Sequence, residues 1–398
     1  MTEPITRDSI HRLCDRSAFP ALAMPNVMSS SFVAEQAGND SVDAHLELAD
    51  KLGYVAYIEL SGRAHHAAPN DSGTEWDLHT TLLSLAGQLS PHLRWKVQQT
   101  QNGSVATISR NLSTPYGKLA EVKRFDRETM LTEHVQKLIR SDDDLKGMEW
   151  LIRESVRTVV AHREQVRCRM VADLIPLVEK IRGRGLSVIH FWTPATEVLY
   201  PFFDQVEMIY AMHDRGPWLR GLMEEASVFT NLMVEIGGAA HVDALQTAIW
   251  GYEQWSPKIY AEFVLPFAVP LGREIRRRGM LFWLHTCGYM KGLLEQRVYH
   301  SFEGIDILEC LNEPPAGDVD DWLLSRQLVP EGTITKGNLE DSLIWSGSPT
   351  EIRCKSLGIL KQSESFPHIL ATSNNVFTGT PLANFEAMMG ALKEYNGV

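Results

Sequence analysis

The chain has 398 residues, of which 44% are hydrophobic, and a formal net charge of −12 at pH 7. This length suits one large domain or two, and the hydrophobic content is that of a folded protein. Nucleic acid and anionic membranes are not expected as partners, because both bind clustered basic residues and the chain has no extended basic tract.

Five cysteines are scattered along the chain, at positions 14, 168, 287, 310 and 354. Their odd number and wide spacing favour thiols in a reducing compartment over a disulfide framework. The sequence after Met1 is polar and lacks an apolar leader, and no apolar run approaches membrane-spanning length. We therefore predict a cytoplasmic protein.

In the first half of the chain, buried strands are predicted at residues 20–24 and 53–60, with a helix between them at 41–51. Alternating residues around Asn102-Gly103 then predict an antiparallel hairpin, residues 94–101 against 104–110. Helical patterns follow to about Gly183. The segment of about residues 77–183 is thus expected to be an excursion from an α/β pattern.

Alternation of strands and helices resumes in the second half, with strands predicted at 186–192, 280–284, 304–308, 333–337 and 368–372. Helices are predicted near 206–212, from Ser256-Pro257 to about Arg278, at 289–296, and after Ser348 and Pro381. No glycine-rich dinucleotide fingerprint accompanies these units. The pattern favours one parallel (β/α)8 TIM barrel domain over residues 1–398, with a doubly wound sheet as the alternative.

The pair His285 and Cys287 ends an apolar strand-like run and is followed at once by Gly288. Residues two apart on a strand point to the same side, so imidazole and thiol are expected to reach one point at the strand's end. These are ligands that suit zinc. The alternative is a buried histidine bonded to backbone beside a cysteine of the core.

Four segments resemble the uroporphyrinogen decarboxylase-like superfamily, and within it the cobalamin-dependent methyltransferases. They are STPYGKL at 113–119 with DDDL at 142–145; SPKIYAEFVLP at 256–266; HTCG at 285–288 with Glu309, PPAGD at 314–318 and KGN at 336–338; and TPLANFEAM at 380–388. They occur in the order found in the family, from about residue 110 to the C-terminus.

The resemblance implies a barrel with its site at the carboxyl ends of the strands, a zinc ion, and cobalamin on a separate carrier protein. True uroporphyrinogen decarboxylases carry an arginine-rich motif after the first strand, where residues 24–28 (MPNVM) contain no arginine. The methyltransferases usually have a third zinc-binding cysteine near the last strand, where residues 372–375 (TSNN) contain none. Glu309 and Cys310 are the candidate replacements, and only one of two neighbours in a strand points inward. The resemblance favours Glu309, because related chains often have a glutamate before the Pro-Pro-x-Gly-Asp element, and Cys310 is then expected to be a core thiol.

Further site residues are expected near other strand ends. Asp243, Tyr252 and Glu309 are the predicted catalytic residues. The alternative for the first two is an ordinary helix-face role, and the alternative for Glu309 is a strand-end carboxylate paired with a lysine. Aromatic side chains could line a pocket for an aromatic ring or a methylated ammonium group. The predicted substrate-binding residues are Trp192, Trp250, Trp255 and Asn338, and Asp318 is expected either to orient ligands or to form a turn.

The leading functional hypothesis is a methyltransferase that moves a methyl group between a small methylated substrate, such as a methoxylated aromatic, and a corrinoid carrier or acceptor. Zinc would act as a Lewis acid. The alternatives are a decarboxylase of a small carboxylic acid and a barrel homologue without catalytic activity. Acidic barrels of this size are often dimers, so a homodimer is an alternative to a monomer.

Overall fold

The computed structural model describes residue 10 and residues 21–27, 30–60, 81–126, 131–248, 255–286, 288–376 and 378–398. The chain divides into two compact units. The first comprises Met1–Leu60, Val171–His190 and Val234–Val398, and the second comprises Ser61–Met170 and Phe191–Met233. The first unit holds a parallel sheet, except for the end of one of its strands, which belongs to the second unit. The second unit holds an antiparallel sheet.

The parallel sheet has eight strands in the order β1-β12-β11-β10-β9-β8-β7-β2. From β2 to β12, strands of this sheet that follow one another in the chain lie side by side, and β1 pairs with β12. The strands are β1 (Leu22–Ala23), β2 (Ala56–Glu59), β7 (Gly185–Trp192), β8 (Ala244–Ala248), β9 (Leu281–His285), β10 (Ile307–Glu309), β11 (Ile334–Leu339) and β12 (His368–Thr372). The Val55 N–H, next to β2, donates to the Ala23 carbonyl of β1 at 2.9 Å. The sheet is therefore curled, which is consistent with a TIM-like barrel.

Apolar side chains from these strands form one buried cluster, because alternate residues of each strand face the same side. Members from one strand are two residues apart, as Leu186 and Val188 are on β7 and Leu281 and Trp283 on β9. The polar residues that continue these rows toward the carboxyl ends, such as His190 and His285, therefore face the same interior.

Most of the described helices occur in the sequence between strands of the parallel sheet, and the last helix follows its last strand. The helices are α1 (Ser30–Ala37), α2 (Val42–Leu52), α3 (Leu82–Leu89), α4 (Asp142–Ala161), α5 (Arg163–Ile181), α6 (Pro194–Leu199), α7 (Gln205–Ala240), α8 (Pro257–Phe263), α9 (Leu265–Arg277), α10 (Lys291–Glu295), α11 (Trp322–Gln327), α12 (Asp341–Ser346), α13 (Pro349–Gln362) and α14 (Leu382–Asn396). Short 3-10 turns occur at Pro91–Leu93 and Val298–Ser301. No helix in the described ranges is both long and apolar enough to cross a membrane.

The antiparallel sheet has the order β3-β4-β5-β6, with strands Lys96–Asn102, Val105–Thr114, Gly117–Asp126 and Leu131–Gln136. β3 and β4 form a hairpin in which Asn102 lies opposite Val105, so the turn is where the Asn-Gly pair predicted it. Thr114 lies opposite Gly117 at the next turn.

The structure differs from the sequence predictions in three places. Where helical patterns were expected after the hairpin, Gly117–Asp126 and Leu131–Gln136 are strands β5 and β6, because antiparallel pairing makes these segments extended. The helix expected from Ser256 to Arg278 is two helices, α8 and α9, divided at Val264. Pro266 explains the break, because proline has no N–H to donate and its ring collides with the carbonyl of residue 262. Strand β8 was not predicted, since Ala-Leu-Gln-Thr-Ala has little of the β-branched and aromatic content that marks a strand.

Candidate functional site

A fully buried carboxylate, that of Glu309, lies at the centre of a hydrogen-bonded cluster at the carboxyl ends of the parallel strands. Its Oε1 accepts from His285 Nδ1 at 2.7 Å and from Gln246 Nε2 at 2.8 Å. Its Oε2 accepts from Lys336 Nζ at 2.5 Å. The sheet register places Glu309 of β10 between His285 of β9 and Lys336 of β11. Parallel pairing thus brings together residues far apart in the sequence.

The Lys336 side chain has no exposed surface, so its charge must be compensated inside the protein. Its ammonium group donates to Glu309 and to Asn26 Oδ1. It also lies 4.9 Å from the ring centroid of Trp283 and 5.2 Å from that of Tyr57. One carboxylate, one amide oxygen and two aromatic faces therefore surround this buried cation.

The charge state of Glu309 determines which nitrogen of His285 carries the proton. Burial alone would raise the pKa of Glu309, but the Lys336 ammonium and His285 lower this pKa to about 2. An ionised carboxylate can only accept hydrogen bonds, so His285 Nδ1 is the donor. In the neutral imidazole, Nε2 then carries the lone pair that a metal ion requires.

The same reasoning applies to His190 and Gln246, which the sequence analysis did not single out. Because the Gln246 amide nitrogen donates to Glu309, its Oε1 is the acceptor for His190 Nδ1, at 2.9 Å. Neutral His190 therefore also has its lone pair on Nε2. His190 could have been identified from the two-residue period of β7, because it continues the row of inward-facing residues formed by Leu186 and Val188.

Three residues have donor atoms that could hold one metal ion: His285, Glu309 and Cys310, whose ligand atoms lie within 4.8 Å of one another. The expectation that only one of the two neighbours Glu309 and Cys310 could reach this point is therefore wrong. β10 ends at Glu309, so the alternation of a strand does not extend to Cys310. The Cys310 thiol is buried and donates to the Ser373 carbonyl.

Some predicted site residues lie outside the described residues. They are Cys287, predicted as a zinc ligand, Trp250, predicted to bind substrate, and Tyr252, predicted to be catalytic. Their roles stay predictions.

The structure does not bring Asp243 to the cluster. Asp243 precedes β8 at its amino end, whereas Ala248, at the carboxyl end, is the residue paired with His285. Its carboxylate accepts from Ser187 N at 2.8 Å and Ser187 Oγ at 2.6 Å. Asp243 thus links the starts of two strands, and we do not retain it as a catalytic candidate.

Trp192 and Trp255, predicted to bind substrate, are both buried. Trp192 ends β7 and packs edge-on against Tyr200, with ring centroids 5.1 Å apart. Trp255 lies one residue before Ser256, which caps α8 by accepting from Ile259 N. Neither residue takes part in the hydrogen-bonded cluster, so their roles in substrate binding stay predictions.

Asn338 and Asp318 have clear structural partners. Asn338, on β11, donates from Nδ2 to the Leu311 carbonyl at 2.8 Å, and its buried Oδ1 has no hydrogen-bond partner among the described residues. Asp318 Oδ1 accepts from Met290 N at 2.6 Å and Lys291 N at 2.9 Å, at the start of α10. Asn338 thus has an acceptor oxygen that no described residue uses, and its role in substrate binding stays a prediction. Asp318 fixes the loop after β9.

Asp341, which follows β11, is a further acidic residue that the sequence analysis missed. Burial raises its pKa to about 7, although Asn374 N donates to its Oδ1 at 2.7 Å. The charge of Glu340 also raises this pKa, whereas His285 and Lys336 lower it. Such a carboxyl group gains and loses a proton near neutral pH, as a general acid or base must.

The chain is similar to known proteins both in a family profile and in solved structures. The profile of a family described as Uroporphyrinogen decarboxylase (URO-D) matches residues 154–395. A methyltransferase from Methanosarcina mazei has 14% sequence identity over 98% of this chain and 99% of its own, with a TM-score of 0.51. This likeness supports the TIM-like fold.

A second solved structure, a B12-independent methionine synthase from Shewanella sp. W3-18-1 in complex with selenomethionine, has 12% identity and a TM-score of 0.45. The match covers 95% of this chain and 96% of that one. No curated protein sequence matches the chain.

Proposed function

Because the chain belongs to the uroporphyrinogen decarboxylase (URO-D) family, we propose that it is an enzyme of the methyl-transferring kind found in that superfamily. The reaction we propose moves a methyl group between a small methylated substrate and a corrinoid held by a partner protein, with zinc as Lewis acid. The observation that carries the proposal is the cluster of nitrogen, oxygen and sulfur donors of His285, Glu309 and Cys310.

The donor atoms fit a zinc ion. An imidazole nitrogen, a thiol and a carboxylate are the ligands that zinc takes in proteins. His285 donates its other ring nitrogen to a carboxylate, which is the usual way of orienting a zinc-binding histidine. Lys336 holds that carboxylate in its ionised form and so supports the orientation.

Methyl transfer is a displacement at the methyl carbon, in which the bond to an oxygen, nitrogen or sulfur atom breaks and its electron pair stays on that atom. Zinc bound beside His285 would stabilise the charge that develops there. Asn338 Oδ1 offers an acceptor that could orient a substrate donor group. Asp341, with a pKa near 7, can give a proton to the released atom or take one from an incoming acceptor.

Decarboxylation of a small acid is the second candidate, because the matched family is described by that activity. A decarboxylase that works without a metal needs a cation for the substrate carboxylate. Lys336 is a poor candidate for that task, since it is fully buried and neutralised by Glu309 at 2.5 Å. The sequence after β1 also offers no arginine at residues 24–28.

Two measurements test the proposal. Purified protein is analysed for zinc, and methyl transfer to reduced cobalamin is followed spectroscopically under anaerobic conditions with a panel of methoxylated aromatics, methylamines and methylated thiols. We expect stoichiometric zinc and transfer from at least one class, both lost in His285→Ala and retained in the control His213→Ala, whose imidazole is exposed. Metal-free protein that releases CO2 from carboxylic acids would instead establish the decarboxylase, and no activity of either kind would support a non-catalytic homologue.

A further inference from the structure

We infer that Cys310 supplies a sulfur ligand to the metal ion, and that Glu309 acts on the site through His285 rather than as a ligand. This inference rests on the proposed function, since it takes zinc as the bound ion. It differs from the sequence expectation, which gave Glu309 the ligand role and placed Cys310 in the core.

The position of the Cys310 sulfur is the first argument. The ligand atoms of His285 and Cys310 lie within 4.8 Å of each other. A zinc ion takes a histidine nitrogen at about 2.1 Å and a cysteine sulfur at about 2.3 Å, so two such ligands are separated by roughly 3.6 Å in a tetrahedral site. The two side chains are therefore close enough that side-chain adjustment can bring a ring nitrogen and the sulfur onto one ion.

The hydrogen bonds of Glu309 are the second argument. Its Oε1 already accepts from His285 and Gln246, and its Oε2 accepts from Lys336. A zinc ion on Oε1 would displace one of its two donors, and a zinc ion on Oε2 would draw that oxygen away from the Lys336 ammonium. Withdrawing the carboxylate from Lys336 would leave a fully buried ammonium without its counter-charge, which is strongly unfavourable. Glu309 is thus better suited to hold the imidazole than to bind the ion.

The surroundings of Cys310 are the third argument. Its thiol reaches from the end of β10 to the Ser373 carbonyl, just after β12. The residues that follow β12, 373–375 (SNN), offer no thiol of their own. Cys310 is the one cysteine of the described residues that belongs to the donor cluster, because Cys168 and Cys354 are exposed on helices.

Metal binding would change the bonding of Cys310 in a balanced way. The thiol loses its proton to solvent, the hydrogen bond to the Ser373 carbonyl is given up, and the thiolate sulfur forms a bond to the ion. No oxidant or further reactant is needed. Net proton release on metal binding is therefore an accompanying signature.

Cobalt(II) substitution tests the inference without any activity measurement, because thiolate ligands produce a sulfur-to-cobalt charge-transfer band in the near ultraviolet. Zinc affinity is measured in parallel by competition with a chromophoric chelator. In Cys310→Ala we expect a weaker charge-transfer band and a zinc Kd raised by about tenfold or more. The control Cys354→Ala, on exposed helix α13, should match the wild-type protein in both.

The outcomes separate this inference from the proposed function. If wild-type protein binds the metal but Cys310→Ala keeps the full band and affinity, the inference is wrong and the zinc-dependent function stands. If wild-type protein binds neither cobalt nor zinc, both are wrong. Should Cys310→Ala fail to fold, as judged by thermal unfolding without metal, the near-isosteric Cys310→Ser takes its place. X-ray absorption of the zinc-loaded wild-type protein provides an independent count of sulfur ligands.

Discussion

At the scale of single residues, Glu309 organises the site because a carboxylate can accept several hydrogen bonds and donate none when ionised. Its three donors, His285, Gln246 and Lys336, lie on three other strands. Through Gln246 the same carboxylate also determines the proton position on His190. The charge of Glu309 therefore sets the proton position on His285 directly and on His190 through Gln246.

The first prediction concerns the buried ion pair. Lys336→Met should lower the free energy of unfolding by about 3–5 kcal/mol at neutral pH, because it leaves the Glu309 carboxylate buried without its cation. The double variant Lys336→Met/Glu309→Gln should recover most of this loss, since it removes the second charge as well. Urea unfolding of the wild type, both single variants and the double variant gives the coupling energy. Additive effects would contradict a coupled pair.

The second prediction concerns Glu197, a fully buried residue of α6 whose Oε2 accepts from Leu82 N at 3.0 Å. Burial raises its pKa to about 8, while this hydrogen bond lowers it. The folded protein thus holds a proton that the unfolded chain releases above about pH 4.3, so stability falls as the pH rises toward 8. Glu197→Gln removes this dependence.

We therefore expect Glu197→Gln to be more stable than wild type at pH 8, and this advantage to shrink by about 2 kcal/mol or more at pH 5. Urea unfolding at a series of pH values measures the difference. The control Glu224→Gln, at an exposed position, should show no comparable trend. A constant difference between pH 5 and pH 8 would mean that Glu197 is ionised in the folded protein.

At the scale of elements, hydrophobic pattern and turn chemistry predicted every strand of the parallel sheet except β8, as well as the Asn102-Gly103 hairpin. These features depend on residues near each other in the sequence. β8 has the sequence Ala-Leu-Gln-Thr-Ala, and only pairing with strands β7 and β9 makes it extended. Tertiary context outweighed local propensity there.

The candidate site was predictable only where a single segment carried the signal. His285 was identified because it ends a recognisable strand two residues before Cys287. Glu309 was identified because it follows a predicted strand at a place where related chains often have a glutamate. Gln246 was missed because its strand was missed. The role of Lys336 depends on the pairing of β11 with β10, and sequence periodicity contains no information about which strands are neighbours.

The third prediction concerns the loop between β9 and α10. Asp318→Ala should lower the free energy of unfolding by about 1 kcal/mol, because two backbone N–H groups, those of Met290 and Lys291, lose their acceptor. Asp318→Asn keeps an acceptor oxygen and should stay closer to wild type. Urea unfolding and amide exchange at Lys291 measure both variants. Equal losses in the two variants would show that the charge, rather than the acceptor geometry, stabilises the loop.

At the scale of the whole molecule, the strands of the parallel sheet pair in sequential order, and the second unit consists of two sequence segments, Ser61–Met170 and Phe191–Met233. The antiparallel sheet β3–β6 lies between β2 and β7 in the sequence and belongs to the second unit. The cluster around Glu309 uses residues of the first unit alone. Structural changes caused by a bound metal ion should therefore be largest in that unit.

The last prediction follows from this division. A ligand that binds only the folded state stabilises it, by about 2.7 kcal/mol when its free concentration is a hundred times its Kd. With zinc bound at His285, amide hydrogen exchange should slow in β9 and β10, whose ends carry the donor atoms, and stay unchanged in β3–β6. Mass-spectrometric exchange with zinc, with magnesium as the control ion, and with zinc on His285→Ala measures the effect. Equal slowing in both sheets of the wild type would mean that the two units open as one, while slowing in β3–β6 alone would place the ion outside the cluster.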